Sequence, residues 1–172
     1  MKIVLVAIDP AVYVAFDRIF AGAKHVQVIY GDILNHRAEA IVSPANSFGW
    51  MDGGIDLAHV RVFGKGVETR LQRLIRERWE GELPIGRAQL VPTGFEPIPW
   101  MISAPTMRVP EPVGGTRNAY LAFAAALMLA REEGFSSLLS PGLCTLTGRM
   151  HPLAAASQMR QAYDAVIGAT HA

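Results

Sequence analysis

The stretch from Ile41 to Asp56 constrains this chain more than any other. It reads Ile-Val-Ser-Pro-Ala-Asn-Ser-Phe-Gly-Trp-Met-Asp-Gly-Gly-Ile-Asp. Ala40-Ile41-Val42 has the composition of a buried strand, and Ser43-Pro44 ends it because proline has no N–H to give a central ladder. The chain then turns through Asn46 and Gly49 to Gly53-Gly54, and a helical pattern starts at Ile55. A strand, a glycine-bearing loop and a helix start bring backbone N–H groups to a point where an anion can sit. The loop also carries Asn46, Asp52 and Asp56, a dense polar set beside an apolar strand. The same residues fit a plain strand-to-helix connection whose polar groups only cap the helix.

At 172 residues the chain has the length of a single domain, 1–172, with room for a full core. Hydrophobic residues make up 51% of it and charged residues 18%, which excludes a disordered chain. A formal net charge of +1 gives no general attraction to nucleic acid or to a membrane surface. A single cysteine excludes an internal disulfide, and no Cys/His cluster has zinc spacing, so neither metal nor cofactor is expected. Asp9-Pro10 interrupts the first apolar run before a signal-peptide core is complete, and Leu121 to Ala130 is too short to span a bilayer. A soluble, cytoplasmic domain with no membrane partner is the expectation.

The remaining pattern alternates strands and helices. Residues 2–8 read as a strand buried on both faces, with Asp9 capping a helix that starts at Pro10 and ends before Gly22. No Gly-x-Gly-x-x-Gly follows that strand, which argues against a dinucleotide-binding fold. Val26 to Tyr30 is a second strand running into Gly31-Asp32-Ile33. Asp32 at a strand's carboxyl end is placed for a ligand contact, although by itself the residue reads first as an ordinary turn aspartate bonding its own backbone. Helices are expected over Ile55–Phe63 and Val67–Trp79, the second with Arg70, Arg73, Arg76 and Arg78 on a solvated face. That face lacks the interleaved aromatics of a single-strand binder, so nucleic acid is not an expected partner. His59 has no sequence partner and reads as packing or surface. Further strands are expected at Gln89–Pro92, Trp100–Ala104 and Ser136–Ser140, with a Thr116-capped helix to Glu133 and a last helix from Pro152. Ser140 opens into a second glycine-bearing loop ahead of that helix, repeating the geometry of the first.

The motifs together resemble a macrodomain, the ADP-ribose-binding module. They are Gly31-Asp32-Ile33, Ala40-Ile41-Val42-Ser43-Pro44-Ala45-Asn46, Gly53-Gly54-Ile55, Pro84-Ile85-Gly86-Arg87-Ala88 and the Pro141–Gly148 loop. Ala104-Pro105-Thr106-Met107-Arg108, Asn118-Ala119-Tyr120 and Gln158–Tyr163 look closer to a bacterial branch labelled phage-tail-like or Appr-1-p-processing. The resemblance implies a three-layer α/β/α fold with a mixed, mostly parallel central sheet and a crevice at strand carboxyl ends. It assigns the adenine to Asp32 and Ile33, and the distal ribose to Asn46. Ser43 stands where the family has an asparagine, leaving a shorter polar arm. The diphosphate falls to Gly53, Gly54 and Ile55 on one side, and to Gly142, Leu143, Cys144, Thr145, Leu146, Thr147 and Gly148 on the other.

The second loop departs from the family, which has glycine at or near the positions of Cys144 and Leu146. A side chain there either forces another backbone angle or crowds the ligand. The aromatic that many relatives place here over the distal ribose is also missing, and Arg149 or Met150 occupies that neighbourhood. Some macrodomains hydrolyse bonds at the distal ribose, and Asn46 and Asp56 match the catalytic positions of such relatives in order and rough spacing. A first-turn aspartate such as Asp56 also stabilises a helix N-terminus without any chemistry. Cys144 lacks a histidine to activate it as a nucleophile. The resemblance therefore implies binding of ADP-ribose or a derivative, free or on an ADP-ribosylated protein, with or without hydrolysis. The alternative is a degenerate macrodomain that serves as a structural or protein-interaction module.

Overall fold

The computed structural model describes residues 1–168; the last four residues of the expected 1–172 domain lie outside the described residues. The β-branched run at the start forms β1 (Lys2–Ala7), and the chain turns at Asp9 into α1 (Pro10–Ile19). Asp9 caps that helix as its sequence position predicts, Oδ1 accepting from the N–H groups of Ala11 at 2.8 Å and Val12 at 3.1 Å. Then come β2 (Val26–Tyr30), β3 (Ala40–Ser43), α2 (Gly54–Phe63), α3 (Gly66–Arg78), β4 (Gln89–Pro92) and β5 (Trp100–Ser103). The chain continues through α4 (Asn118–Glu132) and β6 (Ser137–Ser140) to α5 (Pro152–Val166).

The strands form one sheet in the order β2-β1-β6-β3-β5-β4. Every neighbouring pair is parallel except β4 with β5. Pro92 ends that antiparallel edge strand, where a residue without an N–H is tolerated. Alternation along β1 explains the layering. Ile3, Leu5 and Ala7 point to one core, shared with buried residues of α1, α4 and α5, while Val4 and Val6 point to the other, shared with Val67, Leu71 and Ile75 of α3. The fold is thus a three-layer α/β/α sandwich around a mixed, mostly parallel sheet.

Several boundaries differ from the sequence pattern. Thr116 does not occupy the cap position of α4, which falls to Arg117 without a capping side chain. Instead its hydroxyl donates to Val113 O and accepts from Asn118 N–H, closing the turn ahead of the helix. The arginines of α3 divide in use: Arg73, Arg76 and Arg78 are exposed, whereas Arg70 donates to the carbonyls of Pro92 and Thr93 at the end of β4. His59 is wholly buried and stacks on Phe63 at 5.4 Å between ring centroids.

Candidate functional site

A cavity of about 510 Å³ opens at the carboxyl ends of the parallel strands. This is the edge where an open α/β sheet leaves a crevice between diverging connections. Its walls follow the strand order: Asp32 and Ile33 after β2, Ile8 and Asp9 after β1, the Pro141–Gly148 loop after β6, the Pro44–Asp56 segment after β3, and Thr106 and Met107 after β5. The span from β2 to β5 is four strand spacings, roughly 19 Å at about 4.8 Å each.

At the β2 end Asp32 begins a single 3₁₀ turn, Ile33–Asn35, and its Oδ1 accepts from Leu34 N–H at 2.9 Å. The turn bond and a ligand contact are therefore compatible, because the carboxylate is exposed and lines the cavity while using one oxygen on its own backbone. Ile33, buried beneath it, supplies the apolar floor.

The first loop is held by Asn46. Its Oδ1 accepts from Phe48 N–H at 3.1 Å and Trp50 N–H at 3.2 Å, and its Nδ2 donates to Trp50 O at 2.8 Å. One amide hydrogen remains for a ligand. Beyond it α2 starts at Gly54, φ +56°, a left-handed angle that favours glycine. Gly53 precedes it with no capping side chain, so the first-turn N–H groups of α2 lack a protein acceptor there and carry the positive end of the helix dipole. Gly53, Gly54 and Ile55 all line the cavity.

Asp56 follows in the same turn, buried at the cavity wall. Ser43 Oγ donates to its Oδ1, and His59 Nδ1 lies 3.6 Å from that same oxygen. Neither ring nitrogen of His59 has a hydrogen bond among the described residues. Ser43 itself is fully buried and does not line the cavity, so its short arm reaches Asp56 and not the open space.

In the second loop Cys144 adopts φ +65°. The backbone thus keeps the glycine-like angle and the side chain turns inward, buried against the core. Burial pushes the thiol up from 9.0 to about 12, against a smaller opposing hydrogen bond with Thr106. Such a group is not a nucleophile near neutral pH. Gly148 is required by space: a Cβ there would lie 2.6 Å from Cys144 O. Gly142, Cys144, Thr145, Leu146, Thr147 and Gly148 line the cavity, with Leu146 63% exposed at its rim, whereas Leu143 is buried in the core. A helix does follow this loop as expected, α5 from Pro152, but its N-terminus does not line the cavity. His151 Nδ1 caps α5 by accepting from Leu153 N–H at 3.2 Å, and neither His151 nor Pro152 reaches the cavity. Met150 is buried, and Arg149 is exposed and not among the residues that line the cavity.

Residues that sequence reasoning did not assign to the site include Ile8, Asp9, Val12, Trp50 and Met107. A loop position next to the Asn46 motif was the one available signal for Trp50. Among the described residues, no lysine, arginine or histidine lines the cavity. No group of three or more potential metal ligands occurs among them either. No helix there is long and apolar enough to cross a membrane.

Residues 42–159 match the sequence model of the Macro domain family. The chain belongs to that family. The matched part of the macrodomain begins within β3, so β1, α1, β2 and the Asp32 turn precede it. An uncharacterized protein of Aeropyrum pernix is 36% identical over 122 residues, covering 71% of this chain and 61% of its own length. One from Aquifex aeolicus is 34% identical over 135 residues, 78% of each chain. Among solved structures, the macrodomain of Mycobacterium tuberculosis DarG superposes with a TM-score of 0.68 at 23% identity, covering 78% of this chain and 87% of that one. The Oceanobacillus iheyensis macrodomain with ADP gives 0.68 at 22% identity, covering 77% and 70%. Thermosipho africanus DarTG in complex with ADP-ribose gives 0.64 at 16%, covering 86% of this macrodomain and 46% of that chain.

Proposed function

We propose that this macrodomain acts as one cytoplasmic domain that binds ADP-ribose or an ADP-ribosyl group along its cavity. The observation that carries the reading is the order of chemistry along the cavity wall. An acceptor at Asp32 stands after β2, the Pro141–Gly148 backbone after β6, and the uncapped N-terminus of α2 with Asn46 and Asp56 after β3. Asp32 accepts from the adenine amino group over Ile33, and the first-turn N–H groups of Gly53, Gly54 and Ile55 meet the diphosphate. The backbone of Gly142, Cys144, Thr145, Leu146, Thr147 and Gly148 closes over its other side, and the remaining amide hydrogen of Asn46 meets the distal ribose. The solved structures of the O. iheyensis macrodomain with ADP and of T. africanus DarTG in complex with ADP-ribose support this choice of ligand.

Hydrolysis at the distal ribose is the accompanying activity. Asp56 is the base that takes a proton from water, and Asn46 orients that water. Ser43 fixes the carboxylate from behind. The substrate is an ADP-ribosylated protein or an O-acylated ADP-ribose. A second reading, a degenerate module without turnover, is favoured by Leu146, whose side chain stands 63% exposed at the rim of the phosphate loop.

Calorimetric titration with ADP-ribose, on wild type and Asp32→Ala, tests the binding. Micromolar affinity that the variant loses, with an unchanged thermal transition, is the expected result. A folded wild-type protein that gives no heat at several temperatures overturns it and favours the degenerate module.

A further inference from the structure

Trp50 is the one aromatic side chain among the described residues that line the cavity. It is 43% exposed, an unusual position for a tryptophan with nothing else to do. Its indole N–H makes no hydrogen bond among the described residues, so the ring is held by other means. The ring stacks on Phe48 with 5.0 Å between centroids and 23° between planes. Phe48 in turn lies 5.0 Å from the Arg108 guanidinium carbon, and Arg108 is fixed by Glu82 at 2.7 Å. Behind the ring, both backbone groups of Trp50 are tied to the side chain of Asn46. An exposed tryptophan is thus held in the cavity-lining segment that follows β3, three strand positions along the sheet from the Asp32 turn.

We infer, building on the ADP-ribose reading, that Trp50 is a specificity-determining residue that stacks on the C–H face of the terminal pentose. The aromatic missing from the Pro141–Met150 loop is thereby replaced from the opposite loop. Adenine, proximal ribose and diphosphate occupy the cavity from Asp32 to Gly54 and leave the last sugar beside Asn46 and Trp50. A rigid ring there gives contact without the entropic cost of ordering a mobile side chain. The free indole N–H adds a donor for a sugar hydroxyl. Trp50 therefore separates ligands that carry the second pentose from those that end at the phosphate. Asn46 acts on this contact as a positioning residue as well as a ligand.

Titration of ADP-ribose and ADP into wild type, Trp50→Ala and Trp50→Phe tests the inference. Trp50→Ala is expected to weaken ADP-ribose about five- to tenfold and leave ADP unchanged, with Trp50→Phe recovering most of the loss. Intrinsic fluorescence gives a second readout: ADP-ribose changes the wild-type emission, ADP changes it little, and Trp50→Phe, which retains Trp79 and Trp100, shows neither response. Equal ADP-ribose affinity in Trp50→Ala and wild type overturns the role of Trp50 and leaves the ADP-ribose reading standing. An equal loss for both ligands also overturns it, marking Trp50 as a loop-folding residue. Wild type that binds neither ligand overturns the ADP-ribose reading and this inference with it.

Discussion

Ser43 donates its hydroxyl hydrogen to Oδ1 of Asp56, joining the last residue of β3 to the first turn of α2 behind the cavity wall. The serine stands where the family resemblance expects an asparagine, and its short side chain suits this buried bond. Asp56 then faces the cavity from a fixed position. Removing the hydroxyl leaves a buried carboxylate short of a donor. Ser43→Ala is expected to cost about 1–3 kcal/mol in urea denaturation. Any hydrolysis at this site should lose kcat in the variant while the Kd for ADP-ribose stays near wild type. A parallel loss of affinity would place Ser43 against the ligand.

Gly53 and Gly148 look alike in sequence and differ in physical demand. A Cβ on Gly53 meets nothing within 4 Å, and its φ of −148° suits any residue. A Cβ on Gly148 would stand 2.6 Å from Cys144 O and 2.9 Å from Val113 Cγ2. Gly53→Ala should therefore melt like wild type, so that lost ADP-ribose affinity reports a methyl crowding the ligand. Gly148→Ala should lower stability by about 1–3 kcal/mol or more, since backbone must move to admit it. Equal melting temperatures for the two variants would contradict the loop packing described.

Cys144 is the single thiol, so its chemistry can be read without ambiguity. It is 4% exposed, and burial raises its pKa to about 12. Alkylation at pH 8 should proceed only after unfolding. The folded group holds its proton more tightly than the unfolded one, so its stabilisation is complete below about 9 and declines as pH rises from there toward about 12. Cys144→Ala should flatten that alkaline decline. Rapid labelling of the native protein would contradict the buried placement.

Much of the fold was legible because it rests on local rules. The period-2 alternation hidden in the continuous run of β1, the Asp9-Pro10 cap and the Ser43-Pro44 stop each act over a few residues. The cavity's glycines and Asp32 were legible through motif order. What escaped depends on distant neighbours. Nothing in the sequence says that Ser43 meets Asp56 behind the cavity wall, that His151 caps α5, or that Cys144 combines a left-handed angle with a buried side chain. Trp50 escaped for a related reason, since its exposure follows from Asn46 and Phe48 holding the loop outward.

Glu39, next to β3, bridges to the start of β6 on the edge of the sheet away from the cavity. Its carboxylate accepts from the Ser136 hydroxyl at 2.7 Å and from the N–H groups of Ser136 and Ser137, and Ser137 Oγ accepts from Glu39 N–H. The Ser136 hydroxyl foremost, then its N–H, holds the carboxyl below its ordinary value of 4.5. A lowered folded pKa gives stability that is present above 4.5 and lost as pH falls through the folded value. Glu39→Gln should therefore destabilise at pH 7 and converge on wild type in acid. A difference that persists unchanged into strong acid would show that the charge is not involved.

Asp9, Asp32, Asp52 and Asp56 line the cavity, and among the described residues no basic side chain does. A diphosphate bound there would meet neutral donors, backbone N–H groups and hydroxyls such as those of Thr145 and Thr147, against carboxylates of its own sign. Salt screens charge over about 10 Å at 0.1 M and about 3 Å at 1 M, which weakens the longer-range repulsion more than the short hydrogen bonds. ADP-ribose affinity should therefore hold or rise as salt increases over that range. Phosphates held by lysine and arginine behave in the opposite way, with affinity falling steeply as counterions compete. A tenfold or larger loss of ADP-ribose affinity at high salt would mean that cations outside the cavity wall, such as Arg149 at the loop's end, reach the phosphates.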